Sequence, residues 1–114
     1  MATIYHNPRC SKSRQTLELI KNQGLEPDVV LYLETPLRAQ TIATLLKKLG
    51  ISARQLLRRG EQAYKEQNLA EKSLSEAQLI EAMVEFPKLI ERPIVVNGDR
   101  AIIGRPPEQV MEIL

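Results

Sequence analysis

The one cysteine of this chain, Cys10, stands in the segment Asn7-Pro8-Arg9-Cys10-Ser11-Lys12-Ser13-Arg14. The chemistry this pattern suggests is that of an activated thiol. Pro8 marks a break in the chain, and a helical pattern starts at Ser11, so Cys10 falls at or just before a helix N-terminus. The unpaired N–H groups of a first helical turn carry about half an elementary charge. They favour a thiolate over a thiol, and the thiolate is the nucleophilic form. The same groups hold anions. Arg9, Lys12 and Arg14 add positive charge, while Ser11 and Ser13 offer caps or hydrogen bonds. One short loop therefore supplies a nucleophile and a partial anion cradle. Its polar and basic neighbours predict an accessible Cys10, not an inert buried one. His6, at the end of the preceding strand, either helps to hold the thiolate or is structural.

Elements on both sides must position this loop. The β-prone residues 3–6 predict a first strand, and residues 11–23 a helix with Thr16, Leu17 and Ile20 on one face and Gly24 as its stop. Residues 28–33 form an almost unbroken apolar run, expected to be a second, parallel strand in a covered sheet. Thr35-Pro36 offers a cap and a first-turn proline for a helix carrying Ile42, Leu45, Leu46 and Leu49 up to Gly50. A short amphipathic piece over residues 52–59 follows. Ser75 and Gln78 have capping-box spacing ahead of Leu79, Ala82, Met83 and Phe86, and Pro87 breaks that helix. Ile94-Val95-Val96, Asn97-Gly98 and Ala101-Ile102-Ile103 predict a hairpin with a type I′ turn. Pro106-Pro107 then opens a last short helix with Val110, Ile113 and Leu114 inward.

Composition excludes several alternatives. With 114 residues the chain is expected to be a single domain, residues 1–114. No apolar stretch reaches the roughly 20 residues that span a bilayer, and no leader pattern opens the chain. A cytoplasmic protein without a membrane contact is expected. A net charge of +2 with interspersed signs does not point to nucleic acid. One cysteine and one histidine exclude an intrachain disulfide and leave too few soft ligands for a zinc site. Any thiol redox chemistry therefore needs a second thiol from outside.

The segments Tyr5-His6-Asn7-Pro8-Arg9-Cys10, Leu31-Tyr32-Leu33-Glu34-Thr35-Pro36, Leu56-Leu57-Arg58, Glu91-Arg92-Pro93-Ile94-Val95-Val96 and Arg105-Pro106 run in order along essentially the whole chain. In these segments the chain resembles the glutaredoxin-dependent arsenate reductases, and more closely a less characterised branch with a Cys-Ser-Lys-Ser-Arg motif. The resemblance implies an α/β, thioredoxin-like fold: a mixed four-stranded sheet with an inserted helical segment. It implies Cys10 as nucleophile, His6 as the histidine that favours the thiolate, and Arg58, Arg92 and Arg105 as arginines acting on the anion. Between Arg58 and its neighbour Arg59, the residues alone leave open which is inward. Ser11, Lys12, Ser13, Arg14 and Pro93 are the expected substrate-binding positions, with Arg92-Pro93 at the place of a cis-proline.

Guanidinium forks suit an oxyanion because they stay protonated and donate paired hydrogen bonds. Arsenate or a similar oxyanion is the implied substrate, with glutathione as a consumed reductant and glutaredoxin as protein partner. No bound cofactor is implied, and the residues leave the oligomeric state open, a monomer included. The chain departs from the best-known reductases in carrying Ser11-Lys12 where they have Gly-Thr. Two other readings remain open: a monothiol glutaredoxin-like oxidoreductase, from Cys10-Ser11-Lys12-Ser13, and a transcription regulator that binds RNA polymerase.

Overall fold

The structure, a computed structural model, describes residues 2–114. Contacts divide the chain into two units, one made of the chain through Thr35 together with Arg92–Leu114, the other of Pro36–Glu91. The first unit contains the sheet. Its elements are β1 (Ala2–Tyr5), α1 (Ser11–Asn22), β2 (Asp28–Val30), β3 (Ile94–Asn97), β4 (Arg100–Ile103) and a 3-10 helix over Pro107–Glu112. The strand order is β2-β1-β3-β4. β1 runs parallel to β2 and antiparallel to β3, with Ile4 opposite both Val29 and Val95. β3 and β4 form the expected antiparallel hairpin. This mixed sheet, with the helical residues inserted between its β-α-β and β-β halves, is the thioredoxin-like arrangement.

Ile4, Ile20, Val95, Val110 and Ile113 make the core of this unit, with Leu17, Ile102 and Leu114 packed against them. The period of α1 explains its share: Thr16 and Ile20, four residues apart, are both fully buried. Sheet, α1 and the last 3-10 helix thus close around one apolar cluster. That cluster includes Ile4 of β1 and Ile20 of α1, the elements before and after Cys10.

The second unit is helical, with α2 (Ala39–Leu49), α3 (Ala53–Leu56), α4 (Gln62–Glu66), α5 (Glu76–Glu85) and a 3-10 turn over Pro87–Leu89. Both α2 and α3 pack on α5. Ser75 and Gln78 form the expected capping box, and Ser52 and Gln55 form another at α3. Gly50 ends α2 in the left-handed conformation that glycine adopts without strain. Among the described residues, no helix is long and apolar enough to cross a membrane.

Four local expectations are corrected. The second strand has three residues, not six, and Val29 is 45% exposed. β2 lies at the sheet edge beside a short β1, so the ladder runs out at Val30 and Leu31–Thr35 turns back on itself. Thr35 does not cap α2, whose N-cap is Arg38; the Thr35 N–H is engaged with the Leu31 carbonyl instead. The piece over 52–59 is helical only to Leu56, because the Leu56 carbonyl accepts the Glu91 N–H and the Arg58 N–H donates to the Leu89 carbonyl, an antiparallel bridge that pairs Leu57 with Ile90. In the hairpin, Asn97 pairs with Arg100, so the two-residue loop is Gly98-Asp99. Gly98 alone has a positive φ there, which does not meet the two positive φ values of type I′. The Asn97 side chain instead donates to the Ile113 carbonyl at 2.6 Å.

Candidate active site

Cys10 is itself the N-cap of α1, in extended conformation, and its carbonyl accepts the Arg14 N–H at 3.0 Å. The segment before it is wound by short-range bonds. The Cys10 N–H donates to the Asn7 carbonyl at 3.0 Å, and the Arg9 N–H to Asn7 Oδ1 at 3.0 Å. Asn7 thus acts through its carbonyl and its side chain, a role the sequence reading missed. The Asn-Pro pair was the available signal, since asparagine side chains favour such turns. The Arg14 guanidinium donates to the Pro8 carbonyl at 2.9 Å, tying the loop to the helix it precedes.

Beneath the loop lies a buried polar group. The Ser13 hydroxyl accepts the Asn7 N–H at 3.1 Å and hydrogen bonds with His6 Nδ1 at 2.6 Å. Burial, then the charges of Arg14 and Lys21, pull the His6 pKa below its ordinary value. His6 acts on the loop by holding Ser13. Ser13→Ala would leave the buried Asn7 N–H without its acceptor. The expected cost is about 1–3 kcal/mol, read as a lower urea midpoint at unchanged slope. An unchanged midpoint would show that this bond adds nothing to stability.

Contrary to the expectation of accessibility, Cys10 is only 9% exposed. Burial raises the pKa of its thiol, but opposing groups win and the net direction is down. The Ser13 and Lys12 backbone N–H groups of the first turn favour the thiolate, and the Arg92 side chain adds a hydrogen bond and a positive charge. Arg105 Nη2 also donates to Sγ at 3.5 Å, across 95 residues of sequence. Arg105 Nε donates to the Arg92 carbonyl at 2.8 Å, so the two arginines form one structure around the sulfur. The Arg92-Pro93 bond is cis, as is Arg105-Pro106. Pro93 is buried, and its carbonyl accepts the Gly104 N–H at 2.9 Å.

Of the residues singled out by sequence, the first unit brings together Cys10, Lys12, Ser13, Arg92 and Arg105, with His6 behind Ser13. The side chains of Ser11 and Lys12 are exposed. Arg58 belongs to the helical unit. Its Nε lies 3.9 Å from Glu61 Oε2 and 3.8 Å from Glu91 Oε1, and its Nη1 is buried without a hydrogen bond. Arg59 is exposed, so Arg58 is the inward member of the pair.

A sequence model described as the ArsC family matches residues 5–113. The chain belongs to the ArsC family. The match includes Cys10, both arginines at its sulfur, and Arg58. Among ArsC relatives, an uncharacterized protein of Escherichia coli strain K12, YfgD, is 66% identical over 97% of this chain and 94% of its own. A protein of Haemophilus influenzae named arsenate reductase is 52% identical over 97% of each chain. A solved structure described as arsenate reductase from Vibrio cholerae superposes with a TM-score of 0.97 at 53% identity, covering 99% of this chain and 97% of that one.

Proposed function

We propose that this ArsC chain is an arsenate reductase in which the Cys10 thiolate attacks arsenic(V). The observation that carries the reading is the surround of Sγ: Cys10 opens α1, and the Arg92 side chain and Arg105 Nη2 both converge on its sulfur. Such a set of donors stabilises a thiolate and can turn to an oxyanion bound beside it. The names of the Haemophilus and Vibrio relatives support arsenate as that oxyanion.

Attack forms an S–As bond and expels hydroxide, which takes up a proton as water; arsenic remains As(V) in this adduct. Glutathione then adds its thiol to arsenic, displacing a second oxygen as water. A glutaredoxin thiolate attacks the glutathione sulfur, forming a mixed disulfide and leaving the electron pair on arsenic as As(III). Water releases arsenite and returns the Cys10 thiol. Two electrons from two external thiols balance the reduction. With a single cysteine in the chain, both thiols must come from solution.

The test is arsenite release by the purified protein given arsenate, glutathione and glutaredoxin, with each thiol omitted in turn. Sustained release is expected with both present, and single-turnover adduct formation at most without them. Absence of arsenite in the full mixture would overturn the proposal. Turnover of a glutathione mixed disulfide in that case would favour a monothiol glutaredoxin-like enzyme.

A further inference from the structure

Arg105 reaches the sulfur from a turn that tolerates no side chain at its centre. β4 ends at Ile103, and the Arg105 N–H donates to the Ile103 carbonyl at 2.9 Å, which closes a three-residue turn around Gly104. Gly104 is buried and is not among the glycines with positive φ. Backbone conformation therefore does not require glycine here; space does. A Cβ built on Gly104 would meet Thr16 Oγ1 at 2.6 Å, Pro93 Cγ at 3.0 Å and Thr16 Cγ2 at 3.1 Å. None of these atoms is the loose end of a flexible chain. Thr16 is fully buried, β-branched, and its hydroxyl donates to the Lys12 carbonyl at 2.8 Å. Pro93 is a buried ring, and its carbonyl is bonded to the Gly104 N–H.

We propose that Gly104 is a positioning residue for the thiol site, its missing Cβ allowing the chain to lie against Thr16 and Pro93 and so setting Arg105 on Cys10. A methyl group at position 104 has to displace either Thr16 or the turn. Moving the turn withdraws Arg105 Nη2 from Sγ and Arg105 Nε from the Arg92 carbonyl. Moving Thr16 breaks its bond to the carbonyl of Lys12, in the first turn of α1 whose N–H groups favour the thiolate. Both routes lower the thiolate fraction of Cys10. The inference stands on the geometry of the thiol site and not on which oxyanion the enzyme reduces.

The experiment measures the rate of Cys10 alkylation by iodoacetamide against pH, with no arsenate present, in wild type, Gly104→Ala, Thr16→Ala and the double variant. Thiol reactivity follows the thiolate fraction, so the Gly104→Ala profile is expected to move to higher pH, with alkylation at pH 7 slower by about threefold or more. Thr16→Ala removes two of the three close atoms, and the double variant is expected to return toward the Thr16→Ala profile. If Gly104→Ala does not fold, a folded double variant with the Thr16→Ala profile supports the inference equally. An unshifted Gly104→Ala profile, a shifted profile that Thr16→Ala does not rescue, or failure of both Gly104 variants to fold would overturn it.

Discussion

Cys10→Ser is expected to leave arsenite release at the uncatalysed background, a loss on the order of 10³-fold or more, while the protein becomes no less stable. The loss follows from the atom. A serine hydroxyl is not deprotonated by the N–H groups and guanidinium that suffice for a thiol, and it makes no S–As bond for a second thiol to reduce. The stability expectation follows from position. Cys10 is the N-cap of α1 and makes no side-chain cap bond. Serine is among the preferred N-cap residues, its oxygen accepting an N–H of the first turn, an effect of about 0.5–2 kcal/mol in other helices. Thermal melts of the two proteins alongside the arsenite assay check both halves. Full activity in the serine variant would remove Cys10 from the mechanism. A large fall in melting temperature would show that the loss is structural.

Arg92→Ala is expected to move the pH profile of Cys10 alkylation upward and to lower kcat/KM for arsenate by on the order of 10²-fold. The sign follows from which form of the thiol each group favours. Burial acts against the thiolate, while the Ser13 and Lys12 N–H groups and the Arg92 side chain favour it, and the net pKa lies below the ordinary value. Reactivity of the wild type is therefore lost only as pH falls through that lowered pKa. Without Arg92 the burial penalty weighs more, and the half-maximal point moves to higher pH. A guanidinium at the sulfur also meets the incoming oxyanion, so turnover falls by more than thiolate loss alone. Arg59→Ala is the matched control, because Arg59 is exposed; its activity is expected to stay within about twofold of wild type. Equal losses in the two variants would refute the role of Arg92.

How much of this was legible along the chain depends on the range of the interaction. The capping box at Ser75 and Gln78, the stop at Gly50 and the cysteine at the start of α1 are set by residues within one helical turn of each other. They were read correctly for that reason. The extent of β2 was not legible, because an apolar run does not reveal whether a strand has one neighbour or two. The hairpin was foreseen but its turn slipped by one residue, since the pairing of Asn97 with Arg100 decides the loop. The burial of Cys10 was not legible either, because basic neighbours in sequence do not say what packs over the sulfur from elsewhere.

The sequence by itself determined a lone thiol at a helix start, so that any thiol redox chemistry needs a second thiol from outside the chain. Its ordered motifs singled out Arg58, Arg92 and Arg105. Only the tertiary structure decided that Arg92 and Arg105 converge on that sulfur, that Arg58 is the more buried of the pair with Arg59, and that His6 bears on Ser13. It alone showed that Gly104 is glycine for want of space. The physical reason is common to all of these. Caps and turns are settled by hydrogen bonds within a few residues, whereas a guanidinium 95 positions away reaches the thiol only once sheet register and core packing have placed both chain segments.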